Sequence, residues 1–233
     1  MHYGNPYIEI CVEGSSSIFK GLNQKDKELI DQHHIVSIYG KGELIISEGD
    51  KPKGIMCLAS GKVKTFRVGV GGREQILNMV RQNGFLCYRV LFSDNPQPFS
   101  AMALEDSAVV IFEKNCLLKI LKRNAELTFK FMKVMSEDLL FINNRLVSLT
   151  QKHVRGRIAE TLLILRDTYG LEADGKTIRV MLPREDIAHL SNMTTSNAIR
   201  TLSNLSSERV IEMDKRRIKI LDSNRLEHIS ELG

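Results

Sequence analysis

The feature that most constrains the fold of this chain is the segment from Lys114 to Leu149, which contains neither Gly nor Pro. Its apolar residues recur at steps of three and four, the spacing of one face of an α-helix. From Asn124 onward this predicts a helix of about seven turns. The apolar stripe must be buried, either within its own monomer or in a parallel seam with a second copy of the chain. We favour the homodimer seam, formed by Phe131, Met135, Ile142 and Leu149.

The sequence before this helix predicts a small β-structure. Residues 15–38 have helical spacing, but residues 40–112 alternate short apolar runs with Gly-bearing turns. Many short strands separated by Gly turns are typical of an antiparallel barrel or jelly roll. The runs with strand composition are 43–46, 55–58, 63–68, 74–80 and 108–112.

The sequence after the long helix predicts a separate and mostly helical unit. A polar hinge at residues 151–153 leads into a helix from Val154 to Tyr169, and a turn then leads into a strand at residues 177–182. Beyond it, the short helix Arg184–Leu190 precedes a three-residue turn in which Asn192 tolerates a positive φ angle.

Thr194 caps the next helix, which buries Ala198 and Leu202 and exposes a polar face. Two helices joined by such a turn are typical of a helix-turn-helix, whose second helix enters the major groove of DNA. A helical hairpin with a solvated charged turn is the alternative.

Residues 208–221 predict two short strands around a basic turn, a wing whose cations meet phosphates. On the second helix, Arg200 can donate two hydrogen bonds to guanine, and Asn197 can read adenine. The predicted DNA-binding residues are Arg184, Thr194, Thr195, Ser196, Asn197, Ile199, Arg200, Lys215, Arg216 and Arg217.

Composition excludes several classes of protein. A net charge of +5 permits a nucleic-acid partner without requiring one. No apolar run is long enough for a membrane helix, and the N-terminus lacks a secretory signal, so we expect a cytoplasmic protein without a membrane partner. We find no nucleophile elbow, P-loop or metal-ligand pair, and therefore expect neither an enzyme nor a metal site.

Several motifs in order resemble the CRP/FNR (cyclic AMP receptor protein / fumarate-nitrate regulator) family of transcription regulators. The motifs are Gly42–Asp50, Ser60–Lys64, Gly72–Leu77, Ala103–Ser107, Val154–Ala159 and Arg184–Ala188. The resemblance implies an α+β chain with an effector-sensing, cyclic-nucleotide-binding-like β-barrel (1–122), a long dimerisation helix (123–150) and a winged helix-turn-helix (151–233). It implies a homodimer bound to a palindromic operator in double-stranded DNA, with RNA polymerase as a candidate partner.

The resemblance does not identify the effector. Family members that bind cyclic AMP carry a Gly-Glu pair and, further on, an Arg-Ser pair for the ribose and the cyclic phosphate. Here Cys87-Tyr88 replaces the first pair, and residues 95–100 contain no arginine. An unpaired phosphate charge in a barrel would be costly, so cyclic AMP is not expected. The pocket residues assigned by this resemblance are Phe85, Cys87, Tyr88, Arg89, Gln97, Phe99, Ile142 and Asn143.

Other signals remain open. An iron–sulfur cluster is not expected, because Cys11 is the only N-terminal cysteine. Redox sensing through Cys87, another small ligand, a regulator that needs no effector, and a haem- or ligand-binding sensor acting through protein contacts are alternatives. The candidate axial ligands of a haem are His33, His34, Met56, Cys87 and His153.

Overall fold

The computed structural model describes residues 3–93 and 95–232. The chain divides into two compact units. The first contains the residues up to Arg67 together with Asn78–Leu139, and the second contains Val68–Leu77 together with the residues from Leu140 onward.

Residues 34–113 form two antiparallel sheets of four strands. One sheet has the strand order β1-β8-β3-β6 and the other the order β2-β7-β4-β5, so both the jelly-roll class and the five predicted strand runs are confirmed. The strands are β1 (His34–Tyr39), β2 (Leu44–Ile46), β3 (Gly54–Ser60), β4 (Val63–Val68), β5 (Glu74–Val80), β6 (Phe85–Leu86), β7 (Ser100–Ala103) and β8 (Ser107–Glu113).

An apolar cluster fills the space between the two sheets. It takes Met56, Leu58 and Val109 from one sheet and Val63 and Ala101 from the other. Strands β3 and β8 approach closely at Gly54, where an added Cβ would lie 1.8 Å from the carbonyl oxygen of Phe112. Any side chain at this position would push the two strands apart.

Of three short helices, α1 (Pro6–Glu13) and α3 (Lys114–Arg123) pack on β3 and β8, and α2 (Gln24–Gln32) packs against α3. The prediction of one helix over residues 15–38 is wrong, because α2 ends at Gln32 and the next residues form β1. His34–Tyr39, which contains three β-branched residues, pairs with β8 from His34↔Phe112 to Tyr39↔Ser107. Pairing with a neighbouring strand here overrides the local helical spacing.

The long helix α4 (Ala125–Gln151) follows α3 after a break at Asn124. The prediction that Phe131 of this helix lies in a dimer seam is wrong. The Phe131 side chain is 1 % exposed and lies in an aromatic cluster, with ring centroids 6.1 Å from Phe19 and 6.0 Å from Phe85. This residue anchors α4 within the first unit and has no surface to offer a second chain.

The second unit contains α5 (Val154–Tyr169), α6 (Arg184–Leu190), α7 (Thr195–Ser207) and α8 (Ser223–Leu232), with a two-stranded sheet of β9 (Ile211–Asp214) and β10 (Arg217–Ile220). The three predicted helices and the wing are confirmed, and a break at residues 152–153 separates α4 from α5 where the hinge is predicted. The strand predicted at residues 177–182 is wrong, because only the isolated bridges Leu171↔Ile178 and Thr177↔Lys219 form there. Within the described parts of the chain, no helix is both long and apolar enough to span a membrane.

Candidate nucleic-acid interface

Helices α6 and α7 meet through a tight turn in the second unit. Asn192 has a φ angle of 50°, as its residue type predicted. The N–H of Met193 donates to the carbonyl oxygen of Ala188 over 3.0 Å and closes the turn. Thr194 then caps α7, since its Oγ1 accepts a hydrogen bond from the Asn197 N–H over 3.3 Å.

One face of α7 packs against the unit, and the opposite face is open to solvent. Ala198 and Leu202 are fully buried, as the sequence predicted, and so is Leu205. Ser196, Ile199 and Arg200 are exposed and Thr195 is half-buried. The residues predicted to face DNA therefore lie on the accessible face.

Arg200 is positioned by a neighbour on its own helix. Its Nη2 donates to Oδ1 of Asn197 over 2.9 Å. This contact uses the acceptor that Asn197 would need to read adenine, so in this arrangement Asn197 orients the guanidinium of Arg200. The guanidinium keeps further donors, which suits bidentate contact with a guanine.

The wing presents three exposed cations, Lys215, Arg216 and Arg217. Lys215 adopts a φ angle of 51° in the tight turn between β9 and β10. Arg184 is half-buried next to them. Its Nη2 donates to the Lys215 carbonyl oxygen over 2.6 Å and burial lowers its pKa. Arg184 thus ties the start of α6 to the wing.

Ion pairs that the sequence analysis missed support this surface. Arg155 of α5 makes a forked pair with Glu208, with Nη1–Oε1 at 2.6 Å and Nη2–Oε2 at 2.7 Å. Arg225 also donates to Glu208 Oε2 over 2.8 Å. The hydrogen bond from Arg155 lowers the pKa of the Glu208 carboxyl. Because Glu208 follows α7 directly, these contacts fix the end of that helix. The sequence analysis missed these ion pairs because their partners lie far apart in the sequence, where no spacing pattern indicates a contact.

Six of the eight residues assigned to an effector pocket lie in the first unit, where they separate into groups. Cys87 lies in the cluster between the sheets, with Sγ 3.9 Å from Sδ of Met56, and burial raises its pKa to about 12. The pocket assignment of Phe85 is corrected. Successive strand residues point to opposite faces, and the Phe85 ring packs 5.8 Å from Phe19, in the cluster beneath the helices.

A second group forms around Asp138 of α4. Tyr88 Oη and Arg89 Nη2 both donate to Asp138 Oδ2. The Arg89 guanidinium also lies 5.8 Å from the centroid of the Phe99 ring. Burial, followed by the hydrogen bond to Asp138, raises the pKa of Tyr88 above its usual value. This arginine is therefore already paired with a carboxylate.

Gln97 is the most enclosed of the assigned pocket residues. Its backbone pairs with the loop at Gly49 and Asp50 over 2.8 Å in each direction. The side chain is 1 % exposed, and both amide atoms are buried without a hydrogen-bond partner. Ile142 and Asn143 lie on an exposed part of α4, so their pocket role stays a prediction.

The candidate haem ligands are dispersed. His33 Nδ1 donates to the Leu29 carbonyl oxygen over 3.0 Å, and His34 Nδ1 donates to that of Asp31 over 2.7 Å. Met56 contacts Cys87, and His153 precedes α5 without a capping hydrogen bond. Haem binding stays a prediction that these contacts do not favour.

Two family descriptions match the chain in the order expected. Residues 37–124 match the cyclic nucleotide-binding domain, and residues 156–229 match the Crp-like helix-turn-helix domain. The second match covers α6, α7 and the wing, and the first covers the two sheets.

Named regulators are similar over most of the chain. The anaerobic regulatory protein of Bacillus subtilis is 29 % identical over 177 residues, covering 75 % of this chain and 74 % of that protein. The CRP-like cAMP-activated global transcriptional regulator of Mycobacterium tuberculosis is 26 % identical over 213 residues, covering 91 % and 95 %.

Solved structures share the fold. The structure of FixK2 from Bradyrhizobium japonicum superposes with a TM-score of 0.74 at 21 % identity, covering 84 % of this chain and 96 % of that one. A CooA mutant from Carboxydothermus hydrogenoformans also reaches a TM-score of 0.74, at 18 % identity, covering 94 % and 95 %.

Proposed function

Because this chain belongs to the CRP/FNR family of DNA-binding transcription regulators, we propose that it binds a palindromic operator as a homodimer. The observation that carries this proposal is the exposed face of α7, where Asn197 orients the guanidinium of Arg200, in a unit that also presents the exposed cations of the wing. In this arrangement Arg200 reads a guanine. Lys215, Arg216 and Arg217 meet the phosphates that flank it.

The exposed stripe of α4 supports the homodimer. Its apolar residues alternate steps of three and four, the heptad pattern of a two-stranded coiled coil. The stripe consists of Met132, Met135, Leu139, Ile142, Leu146 and Leu149. The side chains of the first five of these residues are each at least 37 % exposed, which is unusual for large apolar side chains. A symmetric partner would bury the stripe and present two α7 helices to a two-fold-symmetric site.

A selection on random duplexes tests the operator proposal. Purified protein should enrich a two-fold-symmetric sequence whose binding survives moderate salt, either alone or with cell extract. Arg200→Ala should weaken binding to that sequence by about 10- to 100-fold while retaining non-specific binding. Arg179→Ala, which removes a half-exposed arginine elsewhere in the same unit, should leave the affinity unchanged. Enrichment of no palindrome under either condition would contradict the proposal.

We further propose that the controlling signal is an effector or redox signal other than cyclic AMP, or that the dimer needs no effector. The relative from M. tuberculosis is named as cAMP-activated, but here Arg89 is committed to Asp138. The unpartnered amide of Gln97 suits a ligand with neutral polar groups. Calorimetric titration with cyclic AMP should give no binding, and micromolar binding would contradict this proposal.

The alternative function is a haem- or small-ligand-binding sensor that acts through protein contacts. The neutral side chains of Thr195 and Ser196 at the start of α7 favour it, because many DNA-reading helices begin with charged residues. Under this alternative, Arg200→Ala would leave regulation intact. The exposed cations of the wing support the DNA-binding proposal instead.

We also propose that the protein acts in the cytoplasm with its DNA, without catalytic activity of its own. Contact with RNA polymerase stays a prediction. So does the division into a sensing domain at 1–122, a dimerisation helix at 123–150 and a DNA-binding domain at 151–233.

A further inference from the structure

Three side chains that carry metal-ligand atoms meet within the second unit. Glu74 opens β5, while Asp186 and His189 lie three residues apart on α6 and so share one face of that helix. One ligand atom of each residue lies within 4.8 Å of the other two. Gln75 Nε2 donates to the backbone carbonyl oxygen of His189 over 2.8 Å. This hydrogen bond holds the two segments side by side.

The imidazole of His189 has a buried atom without a hydrogen bond. Its Nδ1 is enclosed by the protein and has no hydrogen-bond partner. Oε1 of Glu74 lies 3.7 Å away, too far for a hydrogen bond. Two ligands of one tetrahedral metal ion lie about 3.4 Å apart when each is about 2.1 Å from the ion. The two atoms are therefore spaced as neighbours around a shared ion.

The surroundings of this cluster favour a cation. Asp186 is 8 % exposed, and the side chains of Glu74 and His189 are 20 % and 17 % exposed. A set of imidazole and carboxylate ligands suits a first-row transition metal, whereas Mg²⁺ and Ca²⁺ prefer sites made of oxygen ligands alone. The remaining exposure leaves access for a water molecule as fourth ligand.

We propose that Glu74, Asp186 and His189 bind a divalent first-row transition-metal ion. The ion would join the segment Val68–Leu77 to α6, the first helix of the helix-turn-helix, and metal availability would thereby control how firmly α6 is held. No spacing rule in the sequence finds this set, because Glu74 is remote from α6 along the chain. The inference goes beyond the proposed function and does not rest on it, since metal affinity is measured without DNA.

Titration of the full-length protein with Zn²⁺ tests the proposal. The protein is first stripped with a chelator, and Zn²⁺ is then added in competition with a chromophoric chelator. We expect one Zn²⁺ per chain and a higher midpoint of thermal unfolding when the ion is bound. Glu74→Gln and His189→Gln should each weaken binding by at least about tenfold. If His189→Gln does not fold, Glu74→Gln decides, because its side chain is isosteric and partly exposed.

Two control variants change the same residue types elsewhere in the second unit. Glu172→Gln and His228→Gln alter exposed side chains and should bind Zn²⁺ as the unaltered protein does. Lack of stoichiometric Zn²⁺ binding would overturn the proposal. Zn²⁺ binding that is unchanged in Glu74→Gln would also overturn the proposal. So would control variants that weaken Zn²⁺ binding as much as Glu74→Gln and His189→Gln do.

Discussion

Arg145 of α4 donates from Nη1 to Oε2 of Glu160 on α5 over 3.0 Å, with the two side chains only 8 % and 19 % exposed. Nη2 of the same guanidinium donates to the carbonyl oxygen of Leu190, the last residue of α6. The buried guanidinium of Arg145 therefore joins the end of α4 to both α5 and α6. Desolvation lowers the pKa of Arg145, and the carboxylate of Glu160 opposes that shift.

Glu160→Gln should destabilise the second unit by about 3 kcal/mol, because it leaves the buried guanidinium without its counter-charge. The amide is nearly isosteric, so the loss would come from charge and not from a cavity. Urea unfolding followed by circular dichroism, at a fixed protein concentration, measures the change.

Glu172→Gln is the matched control for this loss. Glu172 pairs with Arg179 at 3.9 Å, and both side chains are more than half exposed, so this variant should stay within about 0.5 kcal/mol of the unaltered protein. Equal effects of the two substitutions would show that the pair of Arg145 and Glu160 is no stronger than a surface pair.

Leu139→Glu should convert the dimer into monomers, because it puts a charge into the centre of the proposed seam. Leu140→Glu is the control. The two leucines are adjacent and both are 60 % exposed, but Leu140 lies outside the alternating steps of three and four. Light scattering after gel filtration gives the masses. A dimer that survives Leu139→Glu, or dissociates equally with Leu140→Glu, would contradict this choice of seam.

Arg216→Ala should reduce the slope of log affinity against log salt concentration by about 1, since one phosphate contact is lost. The loss should be similar for operator and non-operator duplexes, because a phosphate contact does not read sequence. Fluorescence anisotropy at several salt concentrations measures both slopes. An effect confined to the operator would instead assign Arg216 to base reading.

The sequence predicted the helix-turn-helix in detail because local rules determine it. The positive φ angle of Asn192, the cap at Thr194 and the buried face at Ala198 and Leu202 each depend on residues within one or two turns. The long helix was likewise evident from its spacing. These features need no knowledge of distant parts of the chain.

The predictions that failed depend on contacts between distant residues. His34–Tyr39 forms a strand because β8 pairs with it, and Phe131 is buried because Phe19 and Phe85 surround it. The hydrogen bond from Arg184 to the Lys215 carbonyl oxygen, which the sequence did not predict, also joins residues on different elements, and the role of Arg184 in DNA binding stays a prediction. Spacing along the sequence describes one face of one element, and it does not show which partner covers that face.

Cys87 should be unreactive in the folded protein, which tests the redox hypothesis directly. Burial raises its pKa to about 12, so at pH 8 only about one thiol in ten thousand is ionised, against about a quarter of a free thiol. Iodoacetamide labelling followed by mass spectrometry should leave Cys87 unmodified in buffer and modify it in urea. Its rate in buffer should keep rising about tenfold per pH unit above pH 9, where labelling of a free thiol levels off. Labelling of Cys87 at the rate of a free thiol in the folded protein would contradict its burial and support a thiol sensor.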